Sequence, residues 1–276
     1  VRSGIPLPSS PFYSSPPPLV MIRAAFAYVW CAGLIVLLAA PVQAQERNPL
    51  FWDVHDPDRP QPEVVDPGPA PSEPGPAPDD AIVLFDGTDL SAWRHPDTSA
   101  AQWSVREGYV EVEPGTGNLQ TRQGFGDVQL HIEFATSEDD EGIAQGKGNS
   151  GVFLMGRYEV QVLDSYQNQT YPDGQCAAIY SQYPPLVNAS RPPGAWQTYD
   201  IIFRRPHFSN DGAVVQPARV TVIHNGVLVQ DNVTLTGPMG YMERRPYEMH
   251  ESRLPIELQD HGNRVRYRNI WVREIK

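Results

Sequence analysis

The chain has 276 residues, 40% of them hydrophobic, and its 33 acidic against 21 basic side chains give a formal net charge of −12. Such a polyanion is repelled at long range by nucleic acid and by anionic lipid, so neither is an expected partner. A neutral or cationic partner fits better.

Residues 1–20 are rich in Pro and Ser, and Met21-Ile-Arg23 then opens a run of uncharged, mostly apolar residues from Ala24 to Ala40. With Val42-Gln-Ala44 as a small-residue cleavage site, residues 21–44 are predicted as a secretory signal peptide, with 1–20 an upstream segment ahead of the true start at Met21. A membrane span asks for about twenty apolar residues, so no stable membrane insertion is expected after cleavage. The product is expected to be exported, periplasmic or extracellular. Cleavage after Ala44 leaves 19 basic against 33 acidic residues, a net charge of −14, and a single cysteine, Cys176, so no internal disulfide forms.

Residues 45–80 follow as a predicted disordered, acidic, Pro-rich linker. From Asp56 to Asp80 the chain is mostly Pro, Asp, Glu, Gly and Ala, with Pro at 57, 60, 62, 67, 69, 71, 74, 76 and 78. So few large apolar side chains do not offset the entropy of ordering, and an extended tether is expected.

Residues 81–276 suit one domain. Its apolar pattern has period two in Val128–Phe134, Gly151–Leu154, Tyr158–Val162, Tyr199–Phe203, Ala218–Ile223, Val227–Val229 and Tyr267–Val272. His224-Asn-Gly226 carries the Asn-Gly signal of a two-residue hairpin turn, and no long amphipathic helix is visible. The predicted class is all-β, a sandwich of two antiparallel sheets.

In Arg157-Tyr-Glu-Val-Gln-Val-Leu-Asp164, Glu159 and Gln161 share one side of a strand, while Tyr158, Val160 and Val162 take the other. Unpaired charges are rarely buried, so the row with Arg157, Glu159 and Gln161 is expected to floor a wet cleft. Tyr166, Tyr171, Tyr180, Tyr183 and Trp196 follow, and aromatic faces cover the C–H surface of sugars while carboxylates, amides and Arg bond their hydroxyls. Gly146-Lys-Gly-Asn-Ser-Gly151 matches a nucleotide-loop spacing but leads into a strand, with no helix to hold phosphate. Those glycines are expected to let backbone approach the cleft, with Asn149 donating a side-chain hydrogen bond.

Six pieces in order, Leu84-Phe-Asp-Gly-Thr-Asp-Leu-Ser-Ala-Trp93, Gly148-Asn-Ser-Gly-Val-Phe153, Arg157-Tyr-Glu-Val-Gln-Val-Leu-Asp-Ser-Tyr166, Tyr183-Pro-Pro-Leu-Val-Asn-Ala-Ser-Arg-Pro-Pro193, Trp196-Gln-Thr-Tyr-Asp200 and Leu258-Gln-Asp-His-Gly-Asn263, resemble the 3-keto-disaccharide hydrolase domain family. The resemblance runs nearly end to end over 81–276. It implies a concanavalin A-like jelly roll and cleavage of the glycosidic bond in 3-keto-glucosides, with a small-molecule carbohydrate as partner.

The implied chemistry has a physical logic. A ketone at C3 acidifies the C2 proton, so the aglycone at C1 leaves by β-elimination and water then adds. The route needs a base near C2, a donor near the C3 oxygen and an acid for the leaving group. Glu159, Asp164 and His261 are the catalytic candidates. Asn149, Arg157, Gln161, Tyr166, Tyr183 and Asp260 are the substrate-binding ones, with Asp260 also a candidate to fix the tautomer of His261. No cofactor is assigned; a divalent cation held by Glu159, Asp164 and His261 stays open. Two rivals remain. A retaining glycosidase of the laminarinase type uses Glu-x-Asp-x-x-Glu, where this chain has Gln161 and Asp164 at the second and third positions. A lectin-like module binds sugar without cleaving it.

Overall fold

Alternation of apolar and polar side chains becomes two sheets with a shared interior. A computed structural model describes residues 51–276; the expected upstream segment, the signal peptide and linker residues 45–50 lie outside the described residues. Within Trp52–Lys276 every regular element is a strand or a short 3-10 turn. The larger sheet has eight strands. Its main path runs Val227–Thr234, Arg219–His224, Gln197–Arg204, Val128–Thr136, Val265–Glu274, Tyr109–Glu111 and Ser104–Arg106, and Ile82–Phe85 also pairs with Val265–Glu274. The smaller sheet has five, in the order Trp93–Arg94, Leu119–Phe125, Leu254–Leu258, Ser150–Leu154 and Tyr158–Val162.

Each strand turns its apolar set inward. Tyr199, Ile201 and Phe203 of the larger sheet are buried, as are Tyr158, Val160 and Val162 of the smaller one. The two sets meet in one core, with the rings of Tyr158 and Phe203 5.5 Å apart. Buried hydroxyls stitch the layers: Tyr199 donates to the Gln161 carbonyl at 2.6 Å and Tyr267 to Ser150 Oγ at 2.7 Å, so neither polar tip is left unpaired. The expected all-β jelly-roll sandwich is the fold. The Asn225-Gly226 hairpin is also present, with φ of 53° and 81°, the left-handed pair that such a turn requires.

One departure from strict alternation matters for the outer face. Between Arg268 and Trp271 the register against Val128–Thr136 shifts, with Asn269 at φ 48°. This bulge keeps Tyr267, Ile270 and Val272 all inward and turns Trp271 out, where it stacks on His131 at 5.0 Å.

The expectation of a free linker is corrected for residues 52–80, which lie along the domain. Arg59 is 3% exposed and donates from Nη1 to the Gln182 carbonyl at 3.1 Å. Glu63–Val64 pairs in parallel with Val187–Asn188. Arg191 donates to the carbonyls of Gly68 and Pro69 at 3.0 and 3.2 Å, and Asp80 meets Arg273. Counting apolar side chains missed this docking because its partners are mostly backbone carbonyls. A Pro-rich chain is already extended, so fixing it costs less entropy.

On the outer face, His131 Nδ1 lies 2.8 Å from Asp200 and Nε2 3.7 Å from Glu133. Burial alone would lower its pKa, but the hydrogen bond with Asp200 and the nearby Glu133 carboxylate reverse this and raise it to about 9. A folded value above the unfolded 6.5 gives stabilisation that is full below pH 6.5 and lost as pH rises through 9. His131→Gln is therefore expected to lower Tm most at pH 6, by roughly 2–4 °C per kcal/mol for a domain this size. In melts taken at rising pH the deficit should shrink towards pH 10.

Candidate active site

Strand Tyr158–Val162 would be an edge of the smaller sheet, but residues 177–180 lie against it, with Tyr180 N donating to the Glu159 carbonyl and Gln161 N to the Ala178 carbonyl. Together with 239–241 and 259–261, they close the outward row into a cavity of about 510 Å³. Its lining includes Glu159, Gln161, Asn149 and Gln145 on the polar side and Tyr171, Tyr180 and Tyr241 on the aromatic side. The expected open floor is thus the recessed base of a pocket: Glu159 is 3% exposed and Gln161 1%.

Glu159 is the only carboxyl among the lining residues, and it makes no hydrogen bond or ion pair among the described residues. Burial therefore acts on it unopposed and pushes its pKa from 4.5 up to about 8. The strand partner leaves room for it. A Cβ at Gly151 would collide with the Glu159 carboxyl, so glycine is what lets the acid lie over the neighbouring strand.

The amides beside it form a braced set. Asn149 Nδ2 donates to the Gln145 carbonyl at 2.7 Å, and its Oδ1 accepts from Gln161 Nε2 at 3.2 Å. Gln161 and Gln259 both line the cavity, and each keeps a buried Oε1 without a hydrogen-bond partner among the described residues. An unpaired buried acceptor costs roughly 1–3 kcal/mol, which a donor from a ligand would recover. Sugar hydroxyls are such donors.

Four of the sequence candidates thus meet: Glu159, Gln161, Asn149 and His261, the last exposed at the rim. The other five do not line the cavity. Asp164 is buried with Oδ2 3.1 Å from Lys147 Nζ and Oδ1 accepting from Tyr166 N, because its odd separation from Glu159 sets it off the cavity face. A cation held by Glu159, Asp164 and His261 loses its middle ligand on that geometry, and no group of three or more His, Cys, Asp or Glu converges among the described residues. Asp260 does not fix His261: its carboxylate accepts from the backbone N–H groups of Gly115, Gly117 and Gly262 and shapes the loop instead. Arg157 bonds through its backbone, its N–H donating to the Leu154 carbonyl and its carbonyl accepting from Met239 N; Tyr166 lies at the surface, and the Tyr183 hydroxyl donates to the Thr234 carbonyl.

Gln145, Thr170, Met239, Tyr241 and Gln259 were not foreseen. They come from loops whose position depends on long-range packing, and nothing in the local pattern marks them. Tyr171 and Tyr180 were legible as part of the aromatic cluster.

A β-sandwich with one unpaired acid in a chamber of amides and phenols is built to handle a polyhydroxylated ligand. The chain belongs to the 3-keto-alpha-glucoside-1,2-lyase-like domain family, whose model matches residues 80–273, and so stands among enzymes that act on glycosides. It is 26% identical over 235 residues to a 3-keto-disaccharide hydrolase of Bacteroides thetaiotaomicron, covering 71% of this chain and 78% of that one. A solved structure from Parabacteroides distasonis ATCC 8503, described as a candidate glycosyl hydrolase, is 47% identical with a TM-score of 0.70, covering 72% of this chain and 85% of that one. Another from the same organism, 17% identical with a TM-score of 0.53 over 72% and 95%, shares the fold.

Between pH 4.5 and about 8 the folded chain keeps a proton on Glu159 that the unfolded chain releases, so ionisation of this group erodes stability as pH rises through that window. Glu159→Gln is expected to raise Tm little at pH 5 and by several degrees, roughly 2–4 °C per kcal/mol, at pH 9. Equal melting of the two proteins at pH 9 would show that the carboxyl carries no burial penalty.

Proposed function

We propose that this domain cleaves 3-keto-glycosides by removing the C2 proton, expelling the aglycone from C1 and adding water to the resulting alkene. Glu159 is the base, Asn149, Gln145, Gln161 and Gln259 hold the sugar, and His261 protonates the departing oxygen. The protein works outside the cytoplasm, an assignment that rests on the Met21–Ala44 sequence pattern.

The observation that carries this reading is the solitary carboxyl. Ordinary glycoside hydrolysis pairs two carboxyl groups, about 5–5.5 Å apart for retention and about 6.5–9.5 Å for inversion. The cavity lining offers one, since Asp164 is engaged with Lys147. A substrate already oxidised at C3 needs a single base, because the carbonyl supplies the electron sink that an oxocarbenium route lacks. A pKa of about 8 suits that base, being close enough to working pH to give both a useful ionised fraction and a strong pull on the proton. The printed name of the Bacteroides relative supports the substrate class.

The test is a 3-keto-disaccharide beside its unoxidised parent, followed by mass spectrometry. Only the oxidised sugar should be cleaved. Cleavage of the parent would favour a two-carboxylate hydrolase, and binding without cleavage of either a lectin. Glu159→Gln should lower kcat at least 1,000-fold, and wild-type kcat on a substrate whose leaving group needs no proton should climb as pH rises towards 8 and level off above it. His261→Ala is expected to cost roughly 100-fold or more on a disaccharide and much less on a substrate whose leaving group needs no proton.

A further inference from the structure

The chemistry above needs a donor for the oxygen at C3, and among the described residues no Arg or Lys lines the cavity. Two phenols do. Tyr171 and Tyr180 face each other with their hydroxyl oxygens 2.8 Å apart, and neither hydroxyl has another partner among the described residues. In such a pair one O–H donates to the other oxygen, so one proton is left over. Both side chains line the cavity, and both lie close enough to Glu159 to feel its charge. Burial pushes the Tyr171 hydroxyl up to about 12 and raises Tyr180 as well, so the pair stays protonated across the working range and keeps that spare donor. A donor already bonded from behind is polarised and stronger for it.

What holds the pair comes from far away in sequence. His55, in the docked arm ahead of the domain, lies flat on Tyr171 with ring centroids 3.7 Å apart and edge-on to Tyr180 at 5.1 Å. Its Nδ1 lies 3.0 Å from Asp173 Oδ1, its backbone N–H donates to Asp173 Oδ2 at 3.1 Å, and its Nε2 lies 2.6 Å from the Tyr241 carbonyl. Asp173 is fully buried, two residues after Tyr171, and Arg59 of the same arm approaches it at 4.0 Å. A buried carboxylate with these partners is a fixed point, and through it the arm holds His55 against the Tyr171 ring.

We propose that the Tyr171–Tyr180 hydroxyl pair is the hydrogen-bond donor to the sugar's carbonyl oxygen as that oxygen takes up negative charge, with His55 and Asp173 as the residues that position it. The proposal rests on the proton-abstraction chemistry above. When Glu159 takes the C2 proton, the C–H electron pair forms the C2–C3 double bond and the C3–O π pair moves onto oxygen, where the phenol meets it. The carbonyl then re-forms, the C2–C3 pair becomes the C1–C2 double bond, and the C1–O pair departs with the aglycone oxygen, which takes a proton from His261. No oxidant or reductant is consumed.

The experiment uses the full chain with a 3-keto-disaccharide. Tyr180→Phe and Tyr171→Phe keep the rings and remove one hydroxyl each; at least one should lower kcat tenfold or more, towards the roughly 100–1,000-fold scale of losing an oxyanion donor, with KM within about threefold. His55→Ala should lower kcat with the same unchanged KM, and His55→Ala/Tyr180→Phe should fall no further than the worse single variant, because both act on one contact. His55→Phe keeps a ring on Tyr171 and takes the place of His55→Ala if that variant folds poorly. Full kcat in both Tyr→Phe variants while Glu159→Gln is inactive would overturn the donor role and leave the base in place. Multiplying effects of His55 and Tyr180 would overturn the positioning role. Full activity of Glu159→Gln would remove the underlying chemistry itself.

Discussion

Glu159 is a carboxyl taken out of water and given nothing in exchange. Its neighbours on the strand, Tyr158 and Val160, are ordinary core, yet it sits in a chamber whose amides bond one another and leave it alone. An ion in such a place is costly enough that the group responds by holding its proton. The same feature suits it to the role of base proposed for it, and on that proposal the instability and the chemistry have one origin. Gly151 makes room for the side chain, the segment 177–180 seals the strand edge, and Asp260 ties the loop that brings His261 to the rim.

The N-terminal arm belongs to this arrangement. Its composition lacks the large apolar residues of a core segment, and yet His55 and Arg59 converge on the buried Asp173. The arm's anchors are a ring, a guanidinium and a row of backbone carbonyls, none of which a count of apolar residues registers. A sandwich whose site wall is stacked from behind by a residue more than a hundred positions earlier joins two parts of the chain that the sequence separates into tether and domain.

Much of the fold was legible because a strand writes its two faces into alternate residues. Val128–Phe134, Tyr158–Val162 and the Asn225-Gly226 hairpin could be read directly, since each depends on local pattern and turn chemistry. Leu119–Phe125 and Leu254–Leu258 could not, because Arg122, Gln123 and Pro255 break the pattern in strands that are held by their neighbours. In the site, period two put Glu159 and Gln161 together correctly and also shows why Asp164 fails as their partner, five residues away. Asp260 was misread for a different reason: adjacency to His261 suggested a dyad, whereas its oxygens are filled by three backbone N–H groups from two loops. Loop-borne residues such as Gln145 and Gln259 carry no periodic signal, and only the closed chain brings them to Glu159.

The most direct measurement is the titration of Glu159 itself. Carbon-13 NMR on protein with labelled glutamate carboxyls, with Glu159→Gln used to assign the resonance, would follow its ionisation without reference to any substrate. A midpoint near 8 is predicted by a carboxyl buried without a partner. A midpoint between about 4 and 5, the range of a solvated glutamate, would contradict the central claim.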